Sequence, residues 1–188
     1  EHGFNVARAL VGSESTCVTV LEATVRLIPS PPVRVLLVLG YPDVFEAGDH
    51  VPEIMASGPI GLEGFDDRLV NAMRTTGLNP DGVKLLPAGR GWLLVEYGAD
   101  DLGAAQEKAL RLMRDLQRQP GTPAMRLFDT GVEQRRVWAV RESALAATAH
   151  VGGQPPMWEG WDDTAVPPGK VGPYLRDFRA LLNRFGYG

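Results

Sequence analysis

Beyond the run Pro29-Ser30-Pro31-Pro32, the apolar period of this chain changes in an order that few folds accommodate. Val33 to Gly40 is a nearly unbroken apolar stretch, suited to a buried strand. Pro42 to Ser57 then places Val44, Val51, Ile54 and Met55 on one side of a helix that Pro52 should bend. Ile60 to Phe65 reads as a second strand, and Asp66 to Met73 as a short helix with Leu69, Val70 and Met73 at helical spacing. Gly77 to Gly89 is rich in Gly, Pro and Asn and reads as a loop, leading to a third strand at Trp92 to Tyr97. Leu102, Ala105, Ala109, Leu110, Met113 and Leu116 mark a helix from Asp101 to Gln119 with Asp100 or Asp101 as N-cap, and Met125 to Asp129 supplies a fourth strand. The order β-α-β-β-α-β predicts an α+β ferredoxin-like sandwich, an antiparallel sheet with helices on one face, ahead of a doubly wound parallel sheet. Two C-terminal helices are added: Val132 to Ala149, and one carrying Val171, Leu175, Phe178, Leu182 and Phe185 that Gly186 should end.

Before the prolines, Gly12-Ser13-Glu14-Ser15-Thr16 is turn chemistry, and Cys17 to Leu21 with Ala23 to Leu27 is β-branched and partly alternating, as a strand would be. Three prolines within four residues cannot continue a ladder and favour a stiff connector. The expected division is therefore residues 1–30 and 31–188.

A formal net charge of -4 argues against a nucleic-acid partner, which needs Lys and Arg concentrated enough to neutralise several phosphates. Cys17 is the lone cysteine, which excludes an internal disulfide and a cysteine-built metal centre and fits a reducing, cytoplasmic compartment. No apolar run reaches the length of a membrane span. His2, His50 and His150 lack metal-ligand spacing and read as surface or capping residues, and Cys17 as a small buried thiol, so no metal site is expected. The first residues carry no initiator Met and the last no polar tail, which reads as a piece of a longer protein.

Two places carry candidate chemistry. Gly12-Ser13-Glu14-Ser15-Thr16 either is an ordinary turn or cradles an anion, since Gly permits close backbone approach and free N–H groups can face a phosphate. Arg141, on the apolar helix stripe shared with Trp138 and Leu145, needs an acceptor: either an internal acid, among the neighbours of Glu142 or at Asp162 or Asp163, or a ligand carboxylate that matches its planar fork. Trp158 and Trp161 flank Glu159-Gly160 and read as residues that seal a domain surface.

Val11-Gly12-Ser13-Glu14-Ser15-Thr16, followed by Leu21-Glu22-Ala23-Thr24 and Leu27-Ile28-Pro29, resembles the end of the flavin domain (PCMH-type) in the vanillyl-alcohol oxidase and p-cresol methylhydroxylase superfamily. Trp138-Ala139-Val140-Arg141-Glu142 resembles that family's W-x-x-R-E helix, and Asp163-Thr164-Ala165-Val166-Pro167 its D-x-x-V-P entry to the next helix. The resemblance implies an FAD-linked oxidase or dehydrogenase of the D-lactate dehydrogenase and glycolate oxidase type. Residues 1–30 would be the edge of the FAD domain, and residues 31–188 most of the ferredoxin-like cap. It further implies Gly12, Ser13, Glu14 and Thr16 at the flavin, and Arg141 on the substrate carboxylate while the 2-carbon gives hydride to flavin N5. In such proteins the partners are a small 2-hydroxy acid, sometimes an iron–sulfur module or another electron acceptor, and an exposed cap face would favour a homodimer.

Departures from the family pattern carry their own expectations. Ser15 stands where the family has its second motif Gly, and Leu145 and Trp161 stand where relatives acting on D-2-hydroxyglutarate carry Thr and Lys. Apolar bulk in place of polar donors points to a monocarboxylate or an aromatic or apolar acid. Phe185-Gly186-Tyr187-Gly188 stops short of the family's histidine motif, so the isolated polypeptide is expected neither to hold FAD nor to turn over substrate. The contrasting reading is a stand-alone ferredoxin-like module that binds a small molecule or dimerises without catalysis.

Overall fold

The computed structural model describes residues 3–14, 16–149 and 164–187. It divides into two compact units, Glu1–Ser30 and Pro31–Gly188, each treated by itself. In the second, strands β1 (Val33–Tyr41), β2 (Gly61–Asp66), β3 (Gly91–Ala99) and β4 (Ala124–Phe128) form a four-stranded sheet in the order β2-β3-β1-β4, every neighbouring pair antiparallel. That is the ferredoxin-like order.

The two central strands explain the long apolar runs. Val35, Leu37, Leu39 and Tyr41 of β1 face one side with Leu93, Val95 and Tyr97 of β3, while Leu36 and Val38 face the other with Trp92 and Leu94. A strand covered on both faces has no solvent side to make polar, so its sequence loses the alternation seen in half-buried strands. The edge strands keep charges: Glu63 on β2 and Arg126 on β4 are exposed.

On the first face lie α2 (Val44–Asp49), α3 (Val51–Ala56) and α6 (Leu102–Gln117), burying Ala47, Ile54, Ala105, Ala109, Leu112 and Leu116. Leu110, which the heptad-like reading placed inward, is 38% exposed while Leu112 is 4% exposed, so the buried stripe runs 105, 109, 112, 116. The second face is also covered, by α4 (Asp67–Thr76), α5 (Pro80–Leu85), α7 (Gly131–Glu142) and α8 (Ala144–Ala149), which bring Leu69, Val70, Met73, Val137, Val140 and Ala147 to the core. The sandwich thus has helices on both sides, with α7 and α8 of the C-terminal additions joining α4 and α5 in the second layer.

Four local readings need correction. Residues 18–30 form no strand: Leu21, Leu27 and Ile28 are 93%, 86% and 84% exposed, because propensity cannot make a ladder without a neighbouring strand to bond. Cys17, expected buried, is exposed for the same reason, its sulfur 3.7 Å from the Thr16 hydroxyl. The loop from Gly77 to Gly89 contains α5, whose start is the Asn79-Pro80 pair: the Asn79 side chain accepts from the Gly82 N–H at 3.3 Å and Pro80 sits where no N–H is needed. The expected 132–149 helix is two, broken at Ser143, whose hydroxyl donates to the Ala139 carbonyl at 2.6 Å.

The expected bend at Pro52 is a full break, with α2 ending and α3 starting at His50. Asp43 caps α2, accepting from Phe45 and Glu46 N–H at 2.9 and 2.8 Å. The last helix, α9 (Val171–Arg184), ends at Gly186 as read from the sequence: Gly186 takes φ 73°, and Tyr187 N–H reaches the Leu182 carbonyl at 2.9 Å. It docks on α2 through a glycine contact, where a Cβ on Gly48 would stand 2.9 Å from the Gly172 backbone. Arg176 closes this junction with two bonds to Asp49, one of 2.8 Å, and lies over the Phe45 ring.

The Arg176 bond holds the Asp49 carboxyl below its ordinary value of 3.8. A depressed carboxylate pKa contributes stability that is present above the unfolded value and lost as pH falls through the folded one. Melting between pH 6 and pH 2 should therefore show a loss beginning near pH 4 that Asp49→Asn removes; an unchanged pH profile in the variant would show that the junction contributes nothing.

Candidate functional site

Arg141 lies in the last turn of α7, where a cation complements the helix dipole. Val137 and Val140 of the same helix are fully buried and Trp138 packs against that core, which fixes α7 on the second sheet face and leaves Arg141 at its rim. Its Nε donates to Glu63 Oε2 at 3.0 Å, and both side chains are close to half exposed, at 43% and 45%. The internal acid is therefore Glu63 on the edge strand; Asp162 and Asp163 lie outside the described residues, as do Trp158 and Trp161 and the side chain of Leu145.

Glu63 was not legible as a partner of Arg141, yet the strand carries a signal. Glu63 shares a face with Phe65, which is 7% exposed, so a charge stands on the face that turns toward the core. Next to it on that face, across the register Gly61↔Glu96 and Glu63↔Leu94, Glu96 pairs with Arg34 at 2.9 Å. Two guanidinium–carboxylate pairs thus stand side by side at the β2 end of the second face. Glu63 also borders a cleft of about 590 Å³ lined by Val51, Met55, Ile60, Leu62, Leu93 and Leu175.

In the first unit, the expected anion-facing turn follows α1 (Val6–Leu10), which Asn5 caps by accepting the Arg8 N–H at 2.9 Å. Gly12 has φ 80° and Glu14 φ 46°, both left-handed, and a Cβ on Gly12 would meet nothing within 4 Å. The Thr16 hydroxyl spends its proton on the Ser13 carbonyl at 2.5 Å, which closes the turn on itself. Ser15 lies outside the described residues. Gly12 leaves its side of the turn open to close approach, whereas the Ser13 and Thr16 N–H groups are spent on the Leu10 and Ser13 carbonyls.

Other groups offer less. His50 stacks on Tyr41 at 4.8 Å and bonds Glu53 through Nδ1, a packing role at the helix break. The Tyr41 hydroxyl is buried, and burial first, then Glu53 and Glu46, push its pKa far above the ordinary phenol value, so it stays protonated and is no base. Among the described residues no group of three or more His, Cys, Asp or Glu is placed to hold a metal ion, and no helix is long and apolar enough to cross a membrane.

Ion pairs this exposed add little to stability. Arg141→Ala and Glu63→Gln should each shift unfolding free energy by less than about 1 kcal/mol in denaturant titrations; a loss of several kcal/mol would make the pair a structural element.

Residues 30–187 match the family model described as FAD linked oxidases, C-terminal domain. The chain is 28% identical over 192 residues to D-2-hydroxyglutarate dehydrogenase of Pseudomonas putida, an alignment covering 97% of this chain and 19% of that protein. It is 29% identical over 154 residues to glycolate oxidase subunit GlcD of Escherichia coli, covering 79% of this chain and 29% of the relative. A probable mitochondrial D-lactate dehydrogenase of Danio rerio is 38% identical over 72 residues, covering 37% of this chain and 14% of the relative. The chain thus spans about a fifth of the length of the D-2-hydroxyglutarate dehydrogenases it matches. With the ferredoxin-like order of its sheet and a family match over nearly all of its second unit, the chain belongs to the C-terminal domain family of FAD-linked oxidases.

Proposed function

We propose that this chain is the substrate-side cap, with the adjoining edge of the flavin domain, of a longer FAD-dependent enzyme that oxidises a D-2-hydroxy acid. The observation that carries this reading is the Arg141 guanidinium, held at the rim of the second face and already bonded to a carboxylate. A guanidinium that binds Glu63 there can bind the carboxylate of a 2-hydroxy acid by the same hydrogen-bond chemistry. The relatives' names, D-2-hydroxyglutarate dehydrogenase, glycolate oxidase and D-lactate dehydrogenase, share that substrate class.

In this reading Arg141 fixes the carboxylate and so orients the 2-carbon, which loses hydride while its hydroxyl loses a proton to give a 2-oxo acid. FAD, when bound, supplies the two-electron acceptor at N5. Gly12, Ser13, Glu14 and Thr16 would lie at the cofactor, with Gly12 allowing close approach to the backbone. Leu145 and Trp161, standing where dicarboxylate-specific relatives have polar residues, favour a monocarboxylate or an apolar or aromatic acid.

Removing a charged hydrogen-bond donor to a bound carboxylate costs about 1.5–3 kcal/mol. In the full-length enzyme, Arg141→Ala should therefore raise KM for D-lactate or another D-2-hydroxy acid by about tenfold or more, with kcat changed less. Unchanged kinetics would remove Arg141 from the site. Residues 1–188 expressed alone should purify colourless and without activity, because the bulk of the nucleotide-holding half lies elsewhere in this reading. A yellow protein with bound flavin would overturn that division.

A further inference from the structure

We infer that Glu63 is a positioning and specificity-determining residue: it holds Arg141 through Nε so that the Nη1/Nη2 fork is left for a ligand carboxylate, and its charge selects against substrates with a second carboxylate. The inference rests on the reading of Arg141 as the carboxylate anchor.

The geometry supports both parts. A guanidinium has five N–H donors in one plane and offers two bidentate edges, one through Nε and one through the two Nη atoms. Glu63 takes Nε at 3.0 Å, and among the described residues it is the hydrogen-bonding partner of Arg141. A side chain with many rotamers is thereby fixed at its base while its outer edge is left to bind. Glu63 itself is carried by β2, whose backbone is held to β3 from Gly61↔Glu96 to Asp66↔Gly91, so the acceptor does not drift. A pair this exposed contributes little to folding, and orientation of the fork is what remains for it to do.

The charge of Glu63 supplies the selectivity. Glu63 and Glu96 are neighbours on one sheet face, Glu63 bonded to Arg141 and Glu96 to Arg34. A monocarboxylate brings to Arg141 only the group that the fork binds, whereas a dicarboxylate brings a second negative charge close to the Glu63 carboxylate. Like charges several ångströms apart at a surface repel with an energy equivalent to about a fivefold change in affinity.

The test measures binding of two unreactive 2-oxo acids, pyruvate and 2-oxoglutarate, to the flavin-loaded full-length protein by calorimetry, beside steady-state kinetics with D-lactate and D-2-hydroxyglutarate. Glu63→Gln keeps an acceptor for Nε and removes the charge. It should raise the ratio of 2-oxoglutarate to pyruvate affinity by about fivefold, with the same shift in the kcat/KM ratio of the hydroxy acids. Glu63→Ala also removes the acceptor and should weaken pyruvate binding, an effect that Glu63→Gln rescues. An unchanged ratio in Glu63→Gln overturns the selectivity, and unaltered pyruvate binding in Glu63→Ala overturns the positioning role. Arg141→Ala separates the two levels: if it leaves pyruvate affinity intact the anchor itself is wrong, and if it abolishes binding while both Glu63 variants behave as wild type, this inference alone fails.

Discussion

The structure depends on burying β1 and β3 on both faces at once. Two central strands whose middles, Val35 to Leu39 and Trp92 to Val95, are apolar on both faces hold the sheet stable only with a helical layer on each face. A ferredoxin-like sandwich with one layer would leave Leu36, Val38, Trp92 and Leu94 exposed, at a cost of about 1.5–3 kcal/mol for each large side chain. The second layer of α4, α5, α7 and α8 is therefore a requirement of the strand sequences, and α7 enters the fold as part of it.

That requirement also places Arg141. Val137 and Val140 hold α7 to the sheet, and Arg141 one step further along the helix is carried to the rim, opposite the edge strand that bears Glu63. The buried residues fix the helix, the helix fixes the base of the arginine, and the edge strand supplies the carboxylate that steadies its head. On the opposite face the Gly48–Gly172 contact and the Asp49–Arg176 pair do comparable work, seating α9 against α2.

Much of this was legible in the residues. The strand and helix order gave the topology, because period changes and turn residues agree with the final fold at nearly every element. Misreadings arose where a local pattern had two physical outcomes. The β-branched run before the prolines has strand propensity but no neighbour to pair with, and Cys17 is exposed along with it. Asn79-Pro80 is both turn chemistry and a helix start, and the helix is what forms. Arg141 could be singled out because a cation on an apolar helix stripe demands an acceptor, whereas its partner lies 78 residues away on an edge strand, a pairing that only the folded sheet creates.

The proposed function rests on one physical claim, that Arg141, which already bonds the Glu63 carboxylate at the helix rim, receives the carboxylate of a ligand. The most direct check is a crystal structure of the full-length, flavin-loaded protein with pyruvate bound. The account predicts the pyruvate carboxylate on the two Nη atoms of Arg141 at about 2.7–2.9 Å, with Glu63 still on Nε. Pyruvate bound elsewhere, with the Arg141 fork turned to solvent, would contradict it.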